Sequence, residues 1–227
     1  MTSPLDNPVW HALTGPQAQF ALGAGPVRRY LPDISPFAGV VDCGAGALDA
    51  LAGLVPVGGQ ALVLMAASDP IASTRLLVAR SFEGVQMVAR SVTAPDRPLQ
   101  VVDLGDADVA DMLELASLTR PGPFLPRTHV LGQFIGIREQ GRLVAMAGER
   151  FRLAGFTEVS GVCTHPDRRG RGHAGLLSRV VAARIAARGE TPMLHAFATN
   201  DAAIRLYGAL GFVIRTRLQG AVLTRQA

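Results

Sequence analysis

Residues 165–177 read HPDRRGRGHAGLL. Three arginines and three glycines crowd together, and then the chain turns apolar. An apolar, strand-like run, FTEVSGVCT, comes just before and is stopped by Pro166. Just after, Leu177, Val181 and Ile185 fall on one face at helical spacing, and Gly189 sits where a C-cap belongs. The stretch therefore joins a strand to an amphipathic helix expected over 174–188. A helix N-terminus presents unpartnered backbone N–H groups and the positive end of the helix dipole. Glycines let a bulky ligand come close to that backbone. The combination predicts an anion cradle, and a phosphate group is its natural occupant. No Gly-Lys-Ser/Thr follows, and the Gly-x-Gly-x-x-Gly spacing of dinucleotide-binding folds is missing.

The flanking segments extend the pattern. Downstream, MLHAFAT reads as a strand, and Asn200 can cap a helix, DAAIRLYGAL, that ends at Gly211. FVIRT and AVLTR read as two closing strands. Upstream, LGQFIGIRE and GRLVAMAGERF alternate like two strands joined at Gln140-Gly141. LQVVDL reads as a short strand, followed by a helix, ADVADMLELASL, ended by TRPGP. The first hundred residues signal more weakly. ALVLM and VQMVA read as strands and ASTRLLVARS as a helix, and TAPDRP at 93–98 marks a boundary. Strands and helices in this order predict an α/β protein built on one open sheet.

The chain has 227 residues, 48% hydrophobic and 18% charged, as expected of a folded globular protein. ALVLMAA is too short an apolar run to cross a bilayer, and the N-terminal MTSPLDNPVWHAL lacks the features of a secretory signal. Cys43 and Cys163 form no disulfide framework and no metal-ligand spacing. A reduced, cytoplasmic protein without a metal or a membrane partner is expected. The net charge of +4 is compatible with polyanions. Its arginines cluster at 168, 169 and 171, however, which favours one local anionic ligand over a nucleic acid.

Arg169-Gly170-Arg171-Gly172-His173-Ala174 matches the Arg/Gln-x-x-Gly-x-Gly/Ala pattern and resembles the acetyl-CoA loop of the GCN5-related N-acetyltransferases (GNAT). Asn200, Ala203, Leu206 and Tyr207, followed by Gly211-Phe212, resemble that family's second signature. TRPGPF, AMAGERF and VCTHP are similar to its FR47-like branch. The resemblance covers roughly 99–225. It implies the GNAT fold, a mixed and mostly antiparallel sheet flanked by helices, with an acetyltransferase domain at 98–227. Residues 1–97 are expected as an accessory α/β domain. A degenerate second copy of the fold, an acceptor lid and a homodimer surface are its alternative roles.

The resemblance also implies the ligand and the site. Acetyl-CoA, as co-substrate, would lay its pyrophosphate on the backbone of Arg169, Gly170, Arg171, Gly172, His173 and Ala174. Its pantetheine arm would run beside Val162, Cys163 and Thr164, and Asn200, Ala203 and Tyr207 would meet it from across the cleft. The reaction is attack of a primary amine on the thioester. Such an amine is protonated at neutral pH, with a pKa near ~10. Tyr207 is the expected general acid for the departing thiolate, although it also continues an apolar helix face. Glu158 is the expected base, directly or through water, and a solvated strand-end glutamate is the competing reading. His165 reads as a turn residue and His195 as a packed core histidine. A covalent acyl-cysteine at Cys163 is the minor chemical alternative. A non-catalytic module that binds an acyl-CoA and regulates a partner is the rival to an enzyme. The acceptor amine, small or part of a protein, is not specified. Its selectivity is expected to lie in ELASLTRPGPF and RFRLAGF.

Overall fold

The computed structural model describes residues 3–65, 73–93 and 101–226. Helix α1 (Pro8–Leu13) precedes a small antiparallel sheet of β1 (Ala21–Leu22), β2 (Val27–Tyr30) and β3 (Ala38–Val40). Helix α2 (Ala45–Leu54) leads into β4 (Gln60–Met65) and the long β5 (Leu76–Ala89). Next come β6 (Val102–Leu104), α3 (Val109–Thr119), β7 (Phe134–Glu139) and β8 (Arg142–Leu153). The chain closes with β9 (Phe156–Thr164), α4 (His173–Ala187), β10 (Thr191–Phe197), α5 (Asp201–Ala209) and β11 (Phe212–Arg225).

The main sheet has the order β4-β11-β5-β10-β9-β8-β7-β6. Every neighbouring pair is antiparallel except β9 with β10. That pair needs a crossover, and α4 supplies it. The expected mixed, mostly antiparallel sheet flanked by helices is observed. On one face, Leu177, Val181 and Ile185 of α4 pack with Val85, Val159 and Leu194 of the sheet. On the other, Val9 and Leu13 of α1 meet Phe37, Phe151 and Met193, while Met112 and Leu115 of α3 meet Met146 and Cys163.

Local signals behave as their chemistry requires. Gln140 and Gly141 both take positive φ (51° and 81°), the backbone of a tight hairpin turn between β7 and β8. Two local expectations are corrected. The stretch read as a helix at 72–81 is strand from Leu76 onward, because β5 pairs along its length with β11. FVIRT and AVLTR are one continuous strand, β11, with a bulge at Arg215. Most of the boundary segment 93–98 lies outside the described residues, and the sheet runs across it. β4 and β5, from before it, hydrogen-bond to β11 and β10, from after it. Among the described residues no helix is long and apolar enough to cross a membrane.

Strand order makes a prediction. A fragment of residues 98–227 would deprive β11 of both its partners, β4 and β5, and β10 of one. It is expected to show no cooperative thermal transition by circular dichroism where the full chain shows one. A sharp two-state melt of the fragment would contradict this account.

Candidate active site

β9 and β10 are registered over only three pairs, the last being Glu158 with Met193. Beyond it β10 continues against β5, while β9 continues against β8 alone. A bulge in β9 between Ser160 and Cys163, with Gly161 at φ 63°, accentuates the strand's twist there. The edge of β9 from Val159 to Thr164 thus faces a cleft rather than a strand. Val162 is half-buried against the α4 core, whereas Cys163 is buried on the opposite face against α3. The Thr164 hydroxyl is buried and has no hydrogen-bond partner among the described residues.

α4 begins at the mouth of this cleft. Gly172 is its N-cap at φ 80°, and Gly170 stands at φ 76°. A Cβ on either would meet nothing within 4 Å, so both glycines border open space. The N–H groups of the first α4 turn, from His173 and Ala174 onward, lie at that opening, where an intrahelical acceptor is lacking. Arg169 and Arg171 are exposed. Arg168 is instead tied to Glu139 (2.6 Å), which also lies 3.6 Å from Arg171 and from His173. The backbone is therefore the ready anion donor, with Arg169 the side chain least engaged elsewhere. These features fit a pyrophosphate: an open glycine cradle, a helix N-terminus and flanking positive charge.

Across the cleft, the Asn200 side chain accepts from the Ala203 N–H (3.1 Å) and caps α5, as its position suggested. Leu206 packs close to Gly175, so α5 stands beside the start of α4. Tyr207 is half-buried with its ring against Phe212 (6.1 Å). Burial, aided by the negative charge of Glu158, pushes its phenol up to about 12. It is a proton holder at every physiological pH.

Glu158 is not a solvated strand-end residue. Its side chain is 1% exposed and forms a bidentate pair with Arg150 (2.8 and 2.6 Å). It also accepts from His195 Nδ1 (2.7 Å). Burial opposes its charge, but Arg150 and His195 outweigh that and draw the carboxyl down to about 2. A carboxylate held so firmly ionised is a weak proton acceptor. The network continues. The Gln86 amide oxygen accepts from Arg215 (2.9 Å), which places its nitrogen against His195 Nε2 (3.0 Å) and the Leu5 carbonyl (2.8 Å). His195 thus donates at Nδ1 and accepts at Nε2, a hydrogen-bonded core histidine. His165 accepts from the Asp167 N–H and opens a turn. Burial pushes the Cys163 thiol up to about 11, which disfavours the thiolate that an acyl-cysteine route needs. Among the described residues no group of three or more His, Cys, Asp or Glu side chains is placed to hold a metal ion.

A second opening lies on the face away from α4. Pro121, Pro123 and Phe124 wall it, and Thr128, Phe134, Arg150, Ser160 and Gly161 complete its lining. The wall comes from TRPGPF, and Arg150 is the first residue of RFRLAGF, the two segments expected to govern selectivity. Neither Arg150 nor Gln86 was singled out by sequence. An arginine beside Phe151 in a mostly apolar hairpin strand was a weak sign for the first, shared with Arg142 and Arg152 of the same strand. Gln86 carried none.

Residues 134–219 match the family model for FR47-like protein. A crystal structure described as a GNAT-family acetyltransferase from Novosphingobium aromaticivorans is 42% identical, with a TM-score of 0.92 over 100% of both chains. A GCN5-related N-acetyltransferase from Kribbella flavida shares the fold at 18% identity, with a TM-score of 0.59 over 96% of each chain. One from Sphaerobacter thermophilus is similar at 16% identity, with a TM-score of 0.51 over 89% of this chain and 78% of that one. A search of curated proteins finds no match.

The Glu158 network sets a pH dependence. With its folded pKa drawn down to about 2 from the ordinary 4.5, Glu158 stabilises the fold above pH 4.5, and that contribution is lost as pH falls towards 2. Glu158→Gln should cost about 3–5 kcal/mol near neutrality, because Arg150 is left buried without its anion. In urea titrations, the gap between wild type and variant should be widest above pH 4.5 and close on acidification. A gap independent of pH would refute the assignment.

Proposed function

Because the chain belongs to the GCN5-related N-acetyltransferase family and is an acetyltransferase enzyme, we propose that it moves acetyl from acetyl-CoA to a primary amine by direct attack on the thioester. The observation that carries this reading is the cleft where β9 and β10 part, with the α4 glycine cradle at its mouth. The backbone N–H groups of residues 170–174 hold the pyrophosphate, with Arg169 adding charge. The free edge of β9 at Val162, Cys163 and Thr164 offers the pantetheine amides a strand-like partner, and the unpartnered Thr164 hydroxyl is a further donor or acceptor beside it. Asn200 and Ala203 line the α5 side.

Bound acetyl-CoA supplies an activated acetyl group. Tyr207 holds its proton and donates a hydrogen bond towards the departing sulfur. A phenol at about 12 is a weaker acid than an ordinary thiol near ~8.5, so Tyr207 stabilises developing negative charge rather than surrendering the proton outright. Glu158 contributes a fixed negative charge instead of accepting the amine's proton, which leaves through water in the open cleft. Backbone N–H groups at the β9 bulge are the oxyanion donors. A regulatory module that only binds acyl-CoA would need no phenol aimed at the departing sulfur.

Isothermal titration with acetyl-CoA tests the cradle. Wild type should bind, and Gly172→Glu should lose binding by repelling the pyrophosphate. Gly172→Ala, which costs about 1–2 kcal/mol of left-handed strain and meets no neighbour, should keep most of it. Equal loss in both variants would assign the effect to strain, and no binding by wild type would reject the reading. In a free-thiol assay, Tyr207→Phe should lower kcat by about 10²-fold with acetyl-CoA affinity preserved. An unchanged kcat would remove Tyr207 from the chemistry.

A further inference from the structure

We infer that the acceptor is a free amino acid with a small or apolar side chain, whose carboxylate is gripped by the outer edge of Arg150. The inference rests on the transferase reading above and names the substrate class of that site.

Arg150 is the charged residue that lines the opening walled by Pro121, Pro123 and Phe124. Its side chain is only 11% exposed. Nε and Nη2 are committed to Glu158, whereas Nη1 has no hydrogen-bond partner among the described residues. The guanidinium cannot swing away to find one. It lies over the rings of Phe37 (4.9 Å) and Phe151 (4.5 Å), and its backbone carbonyl accepts from Gln17 (2.7 Å). An immobilised planar guanidinium with a free donor, on a residue that lines the opening, is suited to a carboxylate. The pair also has direction. Glu158, 1% exposed, lies behind the arginine, so the cleft meets the positive end first. A polyamine or a lysine-rich peptide finds no carboxylate in the lining.

The rest of the lining sets the polarity and placement of the guest. Phe124 and Phe134 stand edge to face (5.5 Å), and with the two prolines they offer an apolar wall. Ser160 and Gly161 belong to the β9 bulge, so the floor of this opening is the same backbone that borders the thioester cleft. A carboxylate held at Arg150 leaves an α-amine to reach across that bulge. A protein N-terminus carries no carboxylate next to its amine and lacks this handle.

The test uses the full-length protein with acetyl-CoA in a free-thiol assay. Each standard amino acid is compared with its own amide and its decarboxylated amine, and acetyl-CoA binding is measured separately by titration. The expected result is turnover of one or a few small or apolar amino acids, with kcat/KM at least about tenfold above the matched amide and amine, the cost of losing a charged hydrogen-bond partner. Arg150→Lys, which keeps the charge but loses the fork, should raise KM for the amino acid about tenfold or more while acetyl-CoA affinity stays within a factor of about two. If acetyl-CoA binds and amides or plain amines react as well as the amino acids, or no amino acid reacts, the inference is overturned and the transferase reading stands. If acetyl-CoA does not bind, both fall. The comparison of amino acid with amide needs no variant, so a misfolded Arg150→Lys protein does not shield the inference.

Discussion

β9 and β10 are held together at one end of their length and separate at the other. Parallel neighbours in a sheet ordinarily share a ladder of hydrogen bonds. Here the ladder stops at Glu158 and Met193, and beyond it β9 has a strand partner on its β8 side alone. Everything else in the C-terminal half is arranged around that separation. β8 and β5 keep the two strands anchored on their outer sides, α4 crosses between them and starts at the opening, and α5 flanks the other bank. The bulge at Gly161 is the local device that helps β9 turn away, at the cost of a backbone conformation in which side chains are strained.

A separation of this kind needs a rigid base, and the buried polar chain supplies it. Arg150, Glu158, His195, Gln86 and Arg215 are joined by hydrogen bonds from β8 through β9, β10 and β5 to β11. Arg215 then reaches Asp6, and Gln86 reaches the Leu5 carbonyl, so the N-terminal segment is bound into the same chain of contacts. Buried charges are costly unless fully partnered, and these are satisfied on nearly every side. Nη1 of Arg150 has no hydrogen-bond partner among the described residues, and Arg150 lines the second opening.

The electrostatics divide the roles of the two titratable groups first suspected of proton transfer. One environment keeps Glu158 ionised, and the other keeps Tyr207 protonated. The negative charge of the first is part of what raises the second. The two are therefore held in opposite protonation states and are not an acid and a base poised near neutrality.

The sequence by itself determined whatever is decided within a few residues. The glycine run and the helix after it, the Asn200 cap and the Gln140-Gly141 turn were all legible, because caps, turns and helix periodicity are local, whereas the mostly antiparallel order of the sheet came only from the family resemblance. The tertiary structure alone decided the rest. Leu76 onward became strand because β11, from the far end of the chain, pairs with it, and that pairing overrides a weak helical pattern. Glu158 looked like an idle or catalytic strand-end carboxylate until Arg150 and His195 were brought against it. Gln86 and His195 are 109 positions apart, and no short-range pattern links them. Burial and partnership, which set the charge state of a side chain, come from the packed sheet and not from the residue or its neighbours in the chain.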